Sequence, residues 1–111
     1  MPDAVRRGLL LVMIEVDPAH EEEFNRWYNE EHLPERRGCP GFLSARRFVA
    51  VEGGPKYLAL YDLESPEVLQ SAAYERIYPQ SAWTQRVSKH FLRMVRNVYV
   101  EITPEDGGRP A

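Results

Sequence analysis

The chain has 111 residues, 43% of them hydrophobic and 28% charged, with a formal net charge of −3. That is enough chain for one domain with a core of its own, and an acidic balance without a basic stripe gives nucleic acid nothing to bind. The lone Cys39 cannot form an internal disulfide, which fits a reducing cytoplasm.

Arg6 and Arg7 before an apolar run imitate a signal peptide. The run stops at Glu15, however, without a small-residue cleavage site, and it is far too short for a membrane span. Residues 8–16, GLLLVMIEV, read instead as a strand buried on both faces. Asp17-Pro18 then offers a cap followed by proline at the first helical position, with Glu21, Glu22 and Glu23 near the positive helix end. Phe24, Trp27, Tyr28 and Glu31 or His32 follow at helical spacing, so this helix has an aromatic face. Leu33-Pro34 is expected to stop it, because proline disfavours helix in the residue before it.

Pro40-Gly41 is a turn, FLSARRFVAV a second strand, and Glu52-Gly53-Gly54-Pro55 a break leading into YLALYDL, which predicts a hairpin. Ser65-Pro66-Glu67 repeats the cap-then-proline signature for a helix over Pro66 to Ile77. Pro79 breaks it, and a further helical piece runs from Gln80 to about Lys89. Phe91 to Ile102 is the last strand. The domain is expected to span residues 1–103, with a disordered tail over 104–111. Arginine outnumbers lysine twelve to two, as in proteins from GC-rich bacterial genomes.

The order strand, helix, strand, strand, helix, strand is the split βαβ, ferredoxin-like pattern: an α+β fold with one antiparallel sheet and its helices on one face. The other face then needs a partner. Period-two parity assigns Leu10, Val12, Ile14, Val16, Leu58, Leu60, Val98, Val100 and Ile102 to the helix side. It assigns Leu9, Leu11, Met13 and Glu15, Phe42, Ser44, Arg46 and Phe48, Tyr57, Ala59 and Tyr61, and Arg93, Val95, Asn97 and Tyr99 to the other. That mixed face suits a homodimer interface enclosing a pocket, although a bulge would shift the parity of a strand.

The segment FNRWYNEEHLPERRGCPGFLSARRF resembles the helix-to-second-strand signature of the EthD-like group in the dimeric α+β barrel superfamily. That signature runs from an aromatic pair, through a His before an apolar-Pro pair, to a Pro-Gly turn and an Arg-aromatic strand. The strand order over residues 8–102 agrees with it. The resemblance implies a homodimer of ferredoxin-like subunits packed sheet to sheet, each with a small apolar pocket. Enzymes of the group include cyclases, isomerases, dehydratases and cofactor-free oxygenases.

His32 continues the inward helix face, and by the resemblance it points into the pocket as an acid or base. The competing reading is a histidine that satisfies the last carbonyls of its helix and the helix dipole. With His32, Tyr61 is the second candidate catalytic group. Tyr28, Arg46, Tyr57, Asn97 and Tyr99 are candidate substrate-binding groups that would orient a phenol, carbonyl or carboxylate. Tyr and Arg are also common at dimer interfaces for reasons of packing alone.

No His, Cys and carboxylate spacing suits a metal, and no cofactor is expected. Haem-degrading relatives in the superfamily use an Asn on the first strand with a Trp and a His on the second helix. Trp83 and His90 loosely resemble that pair, but the first strand has no Asn. Cys39 lies in a turn without a paired His. Three functions stay open: a cofactor-free lyase, isomerase or cyclase acting on a small hydrophobic or aromatic molecule; a cofactor-free or haem-linked oxygenase; and a non-enzymatic ligand-binding or accessory protein.

Overall fold

The computed structural model describes residues 6–104; beyond its first residue, the expected disordered tail lies outside the described residues. Four strands, β1 (Gly8–Val16), β2 (Phe42–Val49), β3 (Tyr57–Leu63) and β4 (Phe91–Val100), form one antiparallel sheet in the order β2-β3-β1-β4. The crossovers carry helices α1 (Glu21–Trp27), α2 (Leu33–Arg37), α3 (Ala72–Ile77) and α4 (Ala82–Ser88), which makes the α+β ferredoxin-like architecture. β1 is continuously apolar because it is a central strand, paired with β3 on one side and β4 on the other. Among the described residues no helix is long and apolar enough to cross a membrane.

The first crossover starts as its residues dictate. Asp17 accepts a hydrogen bond from the Ala19 amide at 3.0 Å and Pro18 opens a 3₁₀ turn, Pro18–His20, that runs into α1. The expected stop at Leu33-Pro34 does not occur. Residues Tyr28–His32 widen into a π-helical turn, with the Leu33 amide bonded to the Tyr28 carbonyl five residues back, and α2 continues through Pro34 to Arg37. Proline lacks an N–H and its ring crowds the carbonyl four residues earlier. The wider turn just before it shifts the ladder, so the chain keeps helical dihedrals without that bond. In the second crossover the single helix expected from Pro66 to Ile77 is divided. A 3₁₀ turn, Pro66–Gln70, ends at Ser71, which is extended (φ −75°, ψ 155°) and accepts from the Tyr74 amide to cap α3. Ser81 caps α4 in the same way after the Pro79 break.

Register decides which side chains meet the helices. Directly opposed residues of an antiparallel pair share a face, and Leu10 opposes Tyr61, Val12 opposes Ala59 and Ile14 opposes Tyr57. Tyr57, Ala59 and Tyr61 therefore lie under the helices, and Leu58 and Leu60 on the open face, the reverse of the parity expected for β3. The phase of one strand against the next is set by hydrogen-bond register, and a one-residue slip exchanges every side chain. Phe42 is also moved under the helices, because the β2–β3 register shifts between Phe42 and Ser44. β1 and β4 keep their expected faces, with Leu9 opposing Tyr99, Leu11 opposing Asn97 and Met13 opposing Val95 on the open side.

The core between helices and sheet gathers Leu10, Ile14, Val16, Phe24, Trp27, Tyr28, Leu33, Phe42, Tyr61, Leu63 and Tyr74, all buried. Each such side chain contributes about 1.5–3 kcal/mol through the apolar surface it removes from water. The open face carries Leu9, Leu11, Met13, Leu58 and Leu60, only half-buried in the protomer, with Phe48 and Tyr99 exposed at 41% and 47%.

Candidate functional site

A cavity of about 200 Å³ opens between the first crossover, the α3–α4 segment and the β1–β4 part of the sheet. Its apolar walls are Leu10, Val12 and Ile14 below, Trp27 and Phe91 at one side, and Tyr74, Ile77 and Tyr78 above. Among its polar groups, Tyr28, His32 and Arg36 come from the first crossover, Tyr61 from β3 below and Arg96 from β4. It lies on the helix side of the sheet and not, as parity had implied, on the open face.

His32 owes its position to the π turn. The extra residue in that turn brings the imidazole over two rings at once, with centroids 4.7 Å from Trp27 and 4.9 Å, edge to face, from Tyr28. Among the described residues no side chain or backbone group hydrogen-bonds the His32 ring, and no buried side-chain nitrogen or oxygen is left without a partner. The unpaired ring nitrogens of His32 are therefore open to the cavity. Burial, reinforced by the Arg36 and Arg47 guanidinium charges, pushes the His32 pKa down to about 3. At neutral pH the imidazole is uncharged, with one nitrogen a donor and the other an acceptor. His32 does not end its helix, since α2 continues through Pro34 to Arg37.

Tyr28 and Tyr61 face each other, hydroxyl to hydroxyl at 2.6 Å, and both are almost fully buried. Burial raises both phenols above their ordinary range, Tyr61 more strongly because the Tyr28 oxygen also opposes its ionisation. Both are thus neutral hydroxyls, and once one donates to the other a single O–H remains for a third group. Arg47 lies over the Tyr28 ring at 4.4 Å and is held by Asn25 at 2.8 Å and Asn29 at 2.9 Å. Its positive charge is thereby fixed behind the tyrosine pair.

The π turn is itself pinned. One oxygen of Glu31 accepts from Trp27 Nε1 at 3.2 Å, Ser81 Oγ at 2.5 Å and Thr84 Oγ1 at 3.1 Å, which ties the start of α4 to the turn that carries His32.

The other expected site residues are dispersed. Tyr57 lies on the helix side but outside this cavity, donating to Glu21 and accepting from Asn25 at 3.1 Å. The hydrogen bond from Lys56, with that from Tyr57, holds the Glu21 carboxyl below its usual range. Arg46, Asn97 and Tyr99 are on the open face: Arg46 reaches Asp62 at 3.4 Å, and Asn97 donates to the Tyr99 hydroxyl at 3.1 Å. None of these four lines the cavity with His32, because β3 register and β4 parity put them elsewhere. Trp83 donates to Glu23, and His90 stacks on His20 with centroids 3.4 Å apart; neither lines the cavity. The described residues contain no group of three or more His, Cys, Asp or Glu placed to hold a metal. Cys39 is buried in its turn, and burial pushes its thiol up.

Sequence reasoning missed Trp27, Arg36 and Tyr74 as cavity residues. Arg36 stands four residues after His32, and a helix read through Pro34 would have put both on one face. Tyr74 gave no comparable signal.

The family model described as a domain of unknown function (DUF4286) matches residues 8–101. No curated protein matches the chain. Among solved structures the chain is similar to Rv0793 from Mycobacterium tuberculosis, with TM-score 0.68 and 12% identity over 89% of this chain and 98% of that one. It is also similar to a dimeric ferredoxin-like protein from an uncultured marine organism, with TM-score 0.66 and 15% identity over 94% of each chain. A protein from Bacteroides thetaiotaomicron named as a candidate antibiotic biosynthesis monooxygenase gives TM-score 0.60 and 16% identity over 96% of each chain. At these identities the likeness is one of fold, the α+β ferredoxin-like architecture.

Proposed function

Because this chain belongs to the DUF4286 family, a domain of unknown function, we propose its function from the cavity itself: a homodimeric protein that binds a small hydrophobic or aromatic molecule and uses His32 as a proton acceptor. The observation that carries this reading is the neutral, unpartnered imidazole opening into a largely apolar cavity of about 200 Å³ beside the Tyr28–Tyr61 hydroxyl pair. Cavities with apolar walls and a few convergent polar groups are the usual form of small-molecule sites. A cavity of roughly 150 Å³ already admits benzene.

The chemistry follows from the groups present. His32 takes a proton from a carbon next to a ligand carbonyl, the C–H electron pair moves into the carbonyl to give an enolate, and the free tyrosine O–H donates to the enolate oxygen. Return of the proton to a different position completes an isomerisation, and loss of a leaving group completes a lyase step. The Arg36 and Arg47 charges that depress His32 in the empty cavity also favour the enolate, whose negative charge in turn makes His32 more basic. A cofactor-free lyase, isomerase or cyclase is the class this supports.

Within the superfamily we read the chain as EthD-like, on the aromatic pair, His-Leu-Pro, Pro-Gly turn and Arg-aromatic strand of residues 24–48. Residues 1–103 are read as one domain, working in the cytoplasm. The half-buried apolar open face supports the homodimer, since such a surface is stable only when covered.

Proton NMR in D2O with phenylacetone tests the reading. Wild-type protein is expected to shift the Trp27 indole resonance on adding phenylacetone and to accelerate exchange at the benzylic carbon, whereas His32→Gln retains the shift and loses the acceleration. An unmoved Trp27, or equal exchange with both proteins, refutes it.

A further inference from the structure

Among the described residues the one buried charged side chain is Arg36, 8% exposed. A guanidinium has five N–H donors, no acceptor, and keeps its charge at any physiological pH. Arg36 uses Nη1 to donate to Glu35 Oε1 at 3.0 Å, and among the described residues its other nitrogens have no partner. Since no buried side-chain nitrogen lacks a partner, those nitrogens open to the cavity that Arg36 lines. Glu35 compensates the charge poorly, because its own side chain is 38% exposed and pairs with one exposed member are weak. A charge taken out of water and left with most of its donors unused costs stability, and an anion in the cavity would remove that cost.

The surroundings point the same way. Arg96 reaches the cavity from β4, and Glu35 is the one acidic residue against the two arginines in its lining. The cavity is thus positive inside a chain whose net charge is −3, an arrangement that draws anions inward. The volume beyond that of one ring, which takes roughly 150 Å³, leaves room for one small polar group. The planar fork of a guanidinium matches a carboxylate with two parallel N–H···O bonds.

We propose that the ligand of this cavity is an aromatic carboxylate, one ring bearing one carboxylate, with the carboxylate on the open nitrogens of Arg36 and the ring against Trp27, Tyr74 and Phe91. This rests on the small-molecule reading of the same cavity and adds the charge of the ligand and the residue that selects it. A carboxylate there offsets one of the two guanidinium charges acting on His32, so binding is accompanied by a rise in the basicity of the imidazole.

Benzoate and its uncharged counterpart benzamide separate the two readings. Each is titrated by NMR into wild-type protein, Arg36→Gln and Arg96→Gln. Wild type is expected to bind benzoate roughly tenfold or more tightly than benzamide, the return expected of hydrogen bonds to a charged group, with both probes shifting the Trp27 indole. Arg36→Gln removes the preference and leaves benzamide binding in place, while Arg96→Gln keeps most of it. If Arg36→Gln does not give a folded spectrum, Arg36→Lys replaces it; a point charge without the fork should lose a substantial part of the preference. Equal wild-type affinity for the two probes overturns the carboxylate assignment and leaves the small-molecule reading standing. A preference that disappears with Arg96 and survives the loss of Arg36 overturns the assignment to Arg36. No shift of Trp27 with either probe overturns both readings.

Discussion

Replacing His32 with leucine isolates a titration that the fold imposes. In the unfolded chain a histidine titrates near 6.5, whereas in the folded protein burial, Arg36 and Arg47 push His32 down to about 3. Between those values the unfolded state binds the proton and the folded state does not, so stability rises with pH across the window. The contribution is fully present above about pH 6.5 and is lost as pH falls toward 3. With those two values, linkage gives a loss of about 2 kcal/mol on going from pH 7 to pH 5. Glu21 and Glu23 are lowered by partners of their own, so their contributions are lost as pH falls into and below the ordinary carboxylate range, beneath the pH 5 to 7 interval in which His32 is followed. Urea midpoints measured at half-unit steps from pH 5 to 7 should fall steeply for wild type, and more gently by about 2 kcal/mol for His32→Leu. Refutation would come from parallel curves, or from an NMR titration placing the His32 pKa at or above 6.5. Either result would mean that the imidazole is solvated or paired with an acid, and the neutral proton acceptor would be lost with it.

Light scattering at micromolar concentration should give about twice 12.9 kDa, and Leu11→Glu, on the open face opposite Leu60 and Asn97, should yield monomer or aggregate because a carboxylate would otherwise be buried unpaired; a wild-type monomer would contradict this. Tyr61→Phe removes the partner of the buried Tyr28 hydroxyl and should cost about 1–3 kcal/mol by denaturant melts, with no loss indicating that the pair is not formed in solution. Gly41→Ala should destabilise by about 1–3 kcal/mol, since Gly41 has φ +95° and a Cβ there would stand 2.6 Å from a Val68 methyl; an unchanged urea midpoint would mean that the 3₁₀ turn does not pack on the β2 entry.

Local chemistry was legible in the sequence wherever a residue acts on its own neighbours. The Asp17-Pro18 start, the aromatic face at Phe24, Trp27 and Tyr28, the Gly53 turn and the Pro79 break all express backbone preferences or helical spacing, and they appear where those rules put them. The alternation of strands and helices then led to the ferredoxin-like sheet. What acts between elements was not legible. The phase of β3 against β1 turned Tyr57 and Tyr61 under the helices, and the slip at Phe42 moved that ring with them, because hydrogen-bond register is fixed by the hairpin and the sheet as a whole. A π turn ahead of Pro34 carried the helix on to Arg36, and that continuation, invisible to a rule about the residue before proline, put a second cavity-lining residue beside His32. The identity of His32 was written in the sequence. Its loss of charge was decided by tertiary structure, since desolvation and two arginines from different elements act only after the chain has brought them together.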